Sequence, residues 1–178
     1  MESILIKPQA DFGADASAEV RALYHAHAGM LGVALRRLTW PGCDIEDLLQ
    51  EVFLIALRRP LALLTAESPR AWLYGVTVRV ASAARRRRAL RSFLGLEAAA
   101  EVPAADDPHA DAESRQTKER VQRALAKLPA KKRDVLVLFE LEGLSGPEIS
   151  AALGCPLATV WTRLHHARRD FEKAVRRE

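Results

Sequence analysis

The chain has 178 residues and a net charge of +4, with 28% charged and only 6% aromatic residues. Its abundant Ala, Leu, Arg and Glu favour helices and argue against a β-sandwich, so we expect an all-α protein of one ordinary domain or two small ones. Cys43 and Cys155 are far apart and form no CxxC motif, so neither a disulfide framework nor a zinc site is indicated. A reducing, cytoplasmic setting is expected.

The N-terminal segment 1–17 has one short apolar patch followed by proline and aspartate, so it is neither a signal peptide nor a membrane span and is treated as a tail. Between 18 and 39, apolar residues recur at spacings of three and four. This pattern predicts an amphipathic helix, which should end at the Trp-Pro-Gly sequence that starts at Trp40. We expect no insertion into a membrane.

Two further helices are predicted before residue 92. One begins after Asp44, a good N-cap followed by acidic residues, and ends at Pro60. A loop is expected over about 60–68. Ser68, followed by proline, then starts a long helix over about 69–91.

This long helix carries aromatic residues near its start and an arginine run, 85–88, near its end. The run has two interpretations that the sequence leaves open. Basic residues suit the C-terminal end of a helix dipole, but positive charge near aromatic rings also suits unstacked, single-stranded bases. Since a tryptophan at helical spacing is more often core, we expect Trp72 to be packed and Tyr74 to be exposed.

Charge is distributed unevenly along the chain. Residues 61–91 and 114–178 each carry a net charge of +6, whereas 92–113 carries −6 and contains no Lys or Arg. The acidic, Ala- and Pro-containing segment is interpreted as a flexible linker between domains at 18–91 and 114–178. Two basic blocks are typical of a protein that binds a polyanion, although a well-solvated charged surface would look similar.

The C-terminal block contains a predicted helix-turn-helix. A helix from about 114 is broken at Pro129, and the next helix stops at Gly143. Ser145 then opens a short helix, 146–153, through a capping box, and Gly154 provides the turn. An ordinary helical hairpin inside a bundle is the alternative interpretation.

The second, basic helix begins at Pro156. Its apolar stripe consists of Val160, Leu164, Ala167 and Phe171, which should face the core. The residues left to face outward offer hydrogen-bonding and cationic groups suited to the major groove. They are Thr159, Trp161, Thr162, Arg163, His166 and Arg169.

Three stretches resemble one family. EDLLQEVFLIAL at 46–57 resembles the polymerase-binding motif of extracytoplasmic-function sigma factors, bacterial initiation factors for RNA polymerase. The segment 69–88 resembles their promoter-melting helix, and 128–171 resembles their C-terminal helix-turn-helix domain. The matches cover about 20–91 and 114–175, and both motifs in this order are strongly specific.

The resemblance implies an N-terminal region 2 domain of three or four helices and a C-terminal region 4 domain, joined by the flexible linker. It implies core RNA polymerase, promoter DNA and an anti-sigma factor as partners, no cofactor, recognition of the −35 element and melting of the −10 element. Polymerase contacts would be Asp47, Leu48, Gln50, Glu51 and Phe53. Contacts to the −10 element would be Arg70, Tyr74, Arg79, Arg85, Arg86, Arg87 and Arg88, helped by the loop at 60–68. Contacts to the −35 element would be Arg133, Thr159, Trp161, Thr162, Arg163, His166 and Arg169.

Some residues depart from the family pattern. Asparagine is usual at the position of Arg79, and basic residues are common at those of Trp161 and His166, so the promoter sequence cannot be borrowed from relatives. A stand-alone helix-turn-helix regulator is the main alternative, but it leaves 44–91 unexplained. An enzyme is disfavoured, because the chain has no glycine-rich phosphate loop, GxSxG motif or cluster of residues at metal-ligand spacing.

Overall fold

A computed structural model describes residues 14–96 and 112–177, and within those two stretches all regular structure is helical. No helix in this part of the chain is long and apolar enough to cross a membrane. The helices are α1 (Ala14–Leu38), α2 (Ile45–Arg58), α3 (Pro60–Leu64), α4 (Pro69–Phe93), α5 (Ala112–Ala126), α6 (Ala130–Leu136), α7 (Gly146–Leu153) and α8 (Leu157–Val175), with a π-helical turn at Val137–Leu141 between α6 and α7.

The N-terminal helices begin where the sequence predicts. The side chain of Asp44 accepts a hydrogen bond from the backbone N–H of Asp47 at 3.0 Å and so caps α2. Ser68 likewise accepts from the N–H of Ala71 at 3.2 Å, and Pro69 occupies the first turn of α4. The three expected helices of this half are confirmed.

The expected loop at 60–68 is partly wrong, because its first five residues form α3. Pro60 sits at the first helical position, where its fixed φ suits a helix and its missing N–H costs nothing. Leu63 is fully buried. A proline that ends α2 therefore also starts the next helix, and burial of a leucine stabilises this single turn.

The ends of the helices differ from the expected tail and linker limits. Helix α1 starts at Ala14 rather than 18, α4 runs to Phe93, and α5 starts at Ala112. Residues 1–13 and 97–111, which make up most of the expected tail and linker, lie outside the described residues.

The C-terminal half forms the expected helix-turn-helix with one unexpected element before it. The helix after Pro129 does not continue regularly to Gly143 but widens into the π-helical turn. The N–H of Glu142 donates to the carbonyl of Val137 at 3.0 Å, a spacing of five residues. This turn places Glu142 where it faces the N-terminal half.

Both halves share one apolar core rather than two separate ones. Buried side chains of α1, α2 and α4, such as Leu35, Val52 and Leu73, belong to the same cluster as Ile149 and Leu164 of α7 and α8. Helices α4 and α7 pack closely against each other. The two halves are therefore in direct contact in this structure.

Candidate nucleic-acid and protein interfaces

A complete capping box holds the start of the helix-turn-helix. The Ser145 hydroxyl accepts from the N–H of Glu148 at 3.4 Å, and the Glu148 carboxylate accepts from the N–H of Ser145 at 2.9 Å. These bonds from the backbone and hydroxyl of Ser145 hold the pKa of Glu148 below its usual value. Gly154 ends α7 in the left-handed conformation, with φ of 60°.

Helix α8 presents the face that its periodicity predicts. Val160, Leu164 and Ala167 are buried, as expected, while Phe171 is half-buried. The predicted outward residues fall into two groups. Trp161, Thr162 and Arg169 are exposed, whereas Thr159, Arg163 and His166 are half-buried.

Packing limits the freedom of Trp161. Its ring meets Phe139 edge to face at 5.6 Å, and its indole lies so close to Gly146 that a side chain at that position would collide with it. Trp161 still keeps 44% of its surface exposed. The residue is thus a positioned aromatic group on an otherwise polar, cationic face.

Arg133 corrects the expectation of a contact to the DNA backbone, because it is buried. Its guanidinium donates to the carbonyls of Ala126 and Leu128, at 2.8 and 3.2 Å, at the end of α5. Burial, and to a lesser degree the charge of Arg85, lower its pKa. The helix break at Pro129 turns this side chain back onto the open carbonyls of the preceding helix, and so it joins α5 to α6.

Tyr74 is also placed differently from the expectation. It is fully buried, whereas Trp72 is half-buried. The Tyr74 hydroxyl donates to Glu142 at 2.7 Å, and burial, followed by this bond, raises its pKa to about 12. The expectation was wrong because the π-helical turn and α7 cover that face of α4, which α4 alone would leave open.

Three arginines of α4 bind oxygen atoms of the C-terminal half. Arg70 donates to the carbonyl of Glu142, and Arg79 to that of Ala152 at 3.5 Å. Arg85 contacts the buried carboxylate of Asp134 at 3.0 Å and also donates to the carbonyl of Leu38. Desolvation lowers the pKa of Arg79 and raises that of Asp134.

The arginine run is therefore divided. Arg85 lies in the contact between the halves, whereas Arg86, Arg87 and Arg88 are exposed. Arg87 forms a surface ion pair with Glu51 at 3.2 Å, and Arg88 stacks over the ring of Trp40 at 4.8 Å. Three of the four arginines remain accessible to a partner.

On α2, two of the expected polymerase contacts are buried. Leu48 and Phe53 are 7% and 6% exposed, and the Phe53 ring packs edge to face on Tyr24 at 4.6 Å. They belong to the apolar stripe of α2, so they support the surface rather than form it. Asp47 and Gln50 are exposed, and Glu51 is half-exposed.

Three exposed leucines lie near these polar residues and were not predicted as contacts from the sequence. Leu54, Leu57 and Leu61 are about half exposed, at 52%, 47% and 56%. Asp47, Gln50, Leu54 and Leu57 follow spacings of three and four and so share one face of α2, and Leu61 is exposed on α3, just after the helix break at Arg59. A signal was available, since these leucines fall outside the buried stripe of α2. We call this face, from Asp47 to Leu61, the α2–α3 surface.

Nothing in the sequence indicates which acidic residues join the two halves. Glu142 is 105 positions from Arg37, yet their side chains meet at 2.7 Å. Such pairs have no local pattern. Among the described residues, no group of three or more His, Cys, Asp or Glu is arranged to hold a metal ion.

Comparisons with known proteins match both halves of the chain. Family models for sigma-70 region 2 and sigma-70 region 4 match residues 23–91 and 118–171. The extracytoplasmic-function (ECF) RNA polymerase sigma factor SigL of Mycobacterium tuberculosis is 32% identical over 152 residues, which are 85% of each chain.

Two solved structures share the fold. The sigma factor RpoE of Bartonella quintana, in complex with the anti-sigma factor NepR, aligns over 89% of this chain and 97% of that one, with a TM-score of 0.70 and 19% identity. CnrH, in complex with the cytosolic domain of CnrY, aligns over 93% and 95%, with a TM-score of 0.66 and 24% identity.

Proposed function

Because this chain belongs to the ECF RNA polymerase sigma factors, with sigma-70 regions 2 and 4 in that order, we propose which of its surfaces bind core polymerase and which bind promoter DNA. It is a transcription initiation factor that acts by binding. We assign region 2 to 18–91, the linker to 92–113 and region 4 to 114–178. The protein works in the cytoplasm.

The α2–α3 surface binds core polymerase. The observation that carries this assignment is one exposed stripe in which acidic and amide groups, at Asp47 and Gln50, continue into three leucines. Leucines that remain half exposed beside polar groups suit a protein partner that covers them. Leu48 and Phe53 hold the stripe in place from beneath.

Charge reversal on this surface tests the assignment. The variant Asp47→Lys/Glu51→Lys should bind core polymerase about tenfold more weakly or worse, because like charges then face the docking site. Loss of the exposed Glu51–Arg87 pair should itself cost little stability. Fluorescence anisotropy of the labelled protein, titrated with core polymerase, gives the dissociation constant.

Glu19→Lys is the matched control, since Glu19 is an exposed glutamate that belongs to α1 and not to α2 or α3. It should bind core polymerase as the unchanged protein does. Equal affinities for the double variant and this control would move the docking site elsewhere.

The exposed face of α8 reads the −35 element. Thr162 supplies a hydroxyl and Arg169 a guanidinium on the same side, and Trp161 adds an apolar surface for contact with a base edge or methyl group. Arg133 acts within region 4 as a structural residue. The half-buried Thr159, Arg163 and His166 border this face.

The end of α4 and its arginines act on the −10 element. Arg86, Arg87 and Arg88 are exposed, and they supply positive charge for the DNA backbone. Opening a duplex costs a few kcal/mol for each extruded base, which is offset when the base is held in the protein and the strand is bound electrostatically. Arg79 is also exposed, and Arg70, Tyr74 and Arg85 complete the surface once region 4 no longer covers them.

An anti-sigma factor is the expected regulator. The Bartonella relative of this fold was solved with one, and its aligned region includes nearly the whole of that sigma factor. The half-exposed leucines of the α2–α3 surface offer such a partner a way to exclude polymerase.

Linking two DNA-binding regions in one chain raises the effective concentration of the second contact once the first has formed.

A further inference from the structure

We propose that in the free protein region 4 itself masks the promoter-melting face of region 2, through an interdomain contact centred on Glu142 and on the close approach of α4 to α7. This proposal rests on the assignment of that face to the −10 element. When DNA is absent, the second half of the same chain therefore covers the surface of α4.

The side-chain hydrogen bonds of Glu142 are made with residues of region 2. Its carboxylate receives Arg37 of α1 and the hydroxyl of Tyr74 of α4, each at 2.7 Å, while Arg70 of α4 donates to its main-chain oxygen. The carboxylate is nearly buried, with 6% of its side chain exposed. A buried charge is tolerated only when it is paired, so these three groups fix where region 4 sits on region 2.

A second ionic contact lies further along α4. Asp134 of α6 is buried and pairs with Arg85, which is itself largely enclosed. The Arg85 guanidinium also donates to Ser82 of α4 and to the carbonyl of Leu38 at the end of α1. Region 4 therefore holds α4 at two places, one near each end of its buried part.

Between these places the helices touch through their backbones. Gly75 of α4 lies so close to α7 that a Cβ atom there would come within 2.5 Å of the carbonyl oxygen of Ala152. Only glycine permits this distance, and any side chain would push the two helices apart. The Arg79 side chain reaches the same carbonyl.

The masked groups are those assigned to the −10 element. Arg70, Tyr74 and Arg85, three of the seven, are wholly or partly buried and face oxygen atoms of region 4 in place of DNA, whereas Arg79 stays exposed although its guanidinium reaches the carbonyl of Ala152. These carbonyl and carboxylate oxygens accept hydrogen bonds from donors that could otherwise bind phosphate oxygens. DNA must compete with region 4 for the same arginines, so the free protein should bind single strands poorly until the regions separate.

Two independent variants test this contact in the full chain. Gly75→Leu inserts a side chain between α4 and α7, and Gly29→Leu is its control, because Gly29 of the equally long α1 has open space at its Cβ position. Glu142→Gln removes the central charge, and Glu140→Gln is its control, because Glu140 pairs with Arg168 inside region 4.

Small-angle X-ray scattering measures the radius of gyration, and fluorescence anisotropy measures affinity for a labelled single-stranded oligonucleotide with the non-template sequence of the promoter upstream of this protein's own gene. Both interface variants should show a larger radius of gyration and about tenfold tighter binding of the oligonucleotide than their controls. A tenfold gain is expected if about one tenth of the unchanged protein has its regions separated and nearly all of the variant does. An unchanged radius and affinity in both variants would overturn the proposal. Core-dependent transcription by the unaltered protein tests the sigma role separately, so either idea can fail alone.

Discussion

Tyr74 is the single residue whose environment depends most clearly on the contact between the two regions. It is buried under the C-terminal half and bonded to a carboxylate, two effects that both favour the neutral phenol. Its pKa rises from 10.0 to about 12. The phenol thus reports whether region 4 covers α4.

This shift has a defined sign in the pH dependence of stability. Because the folded pKa lies above the unfolded value, the contribution of Tyr74 is fully present below pH 10.0 and is lost as the pH rises towards about 12. The chain has two tyrosines, so Tyr24→Phe leaves Tyr74 as the sole phenol.

Ultraviolet absorbance titration of the Tyr24→Phe variant should show ionisation near pH 12 in the folded protein and near the ordinary value of 10.0 in concentrated urea. A folded-state midpoint at the ordinary value would mean that Tyr74 is exposed to water in solution, which contradicts its burial under Glu142.

Residue-scale errors from sequence had one common cause. Family position or the pattern of one helix places Tyr74 and Arg133 on the outside, but burial depends on what packs against that helix. For Tyr74, the covering residue Glu142 is 68 positions away, which no local periodicity reveals.

At the element scale, local chemistry predicted helix starts accurately. Asp44, Ser68 and Ser145 each cap a helix with the expected backbone hydrogen bond. The α3 helix and the π-helical turn were missed because their signals are tertiary. Burial of Leu63 stabilises the first, and the second accompanies the contacts of Glu142.

The turn of the helix-turn-helix depends on Gly154. A residue with a side chain pays about 1–2 kcal/mol in the left-handed conformation, so Gly154→Ala should lower the free energy of unfolding by about that amount. Urea denaturation, followed by circular dichroism, measures it. Gly29→Ala is the control, since an exposed glycine within a helix should gain roughly 0.5–1 kcal/mol on the same substitution.

If the Gly154→Ala variant were as stable as the unchanged protein, the left-handed conformation of Gly154 in the structure would be contradicted. The spacing of α7 and α8 would then need another explanation. The exposed face of α8, to which we assign −35 recognition, would lose its fixed orientation relative to α7.

For the molecule as a whole, the sequence predicted two basic domains joined by an acidic linker but did not predict the contact between the two regions. Segment charges of +6, −6 and +6 separated two basic blocks from an acidic joint. Yet basic blocks repel, and nothing in the sequence showed that Asp134 and Glu142 would draw region 4 onto α4. Charge totals hide which individual carboxylates are buried.

The closed arrangement gives a physical reason for restraint in the free protein. Arginines that would grip DNA are held by oxygen atoms of region 4, while the α2–α3 surface stays open. Polymerase can therefore bind first and DNA second. Such an order limits binding to non-promoter DNA, which basic proteins otherwise favour.

Run-off transcription tests directly whether the protein acts as a sigma factor. Purified core RNA polymerase is supplied with a template carrying the promoter upstream of this protein's own gene, with and without the protein. The sigma role predicts a transcript of defined start that requires the protein. No transcript, together with tight, salt-sensitive binding of the free protein to duplex DNA, would contradict that role and indicate a stand-alone helix-turn-helix regulator.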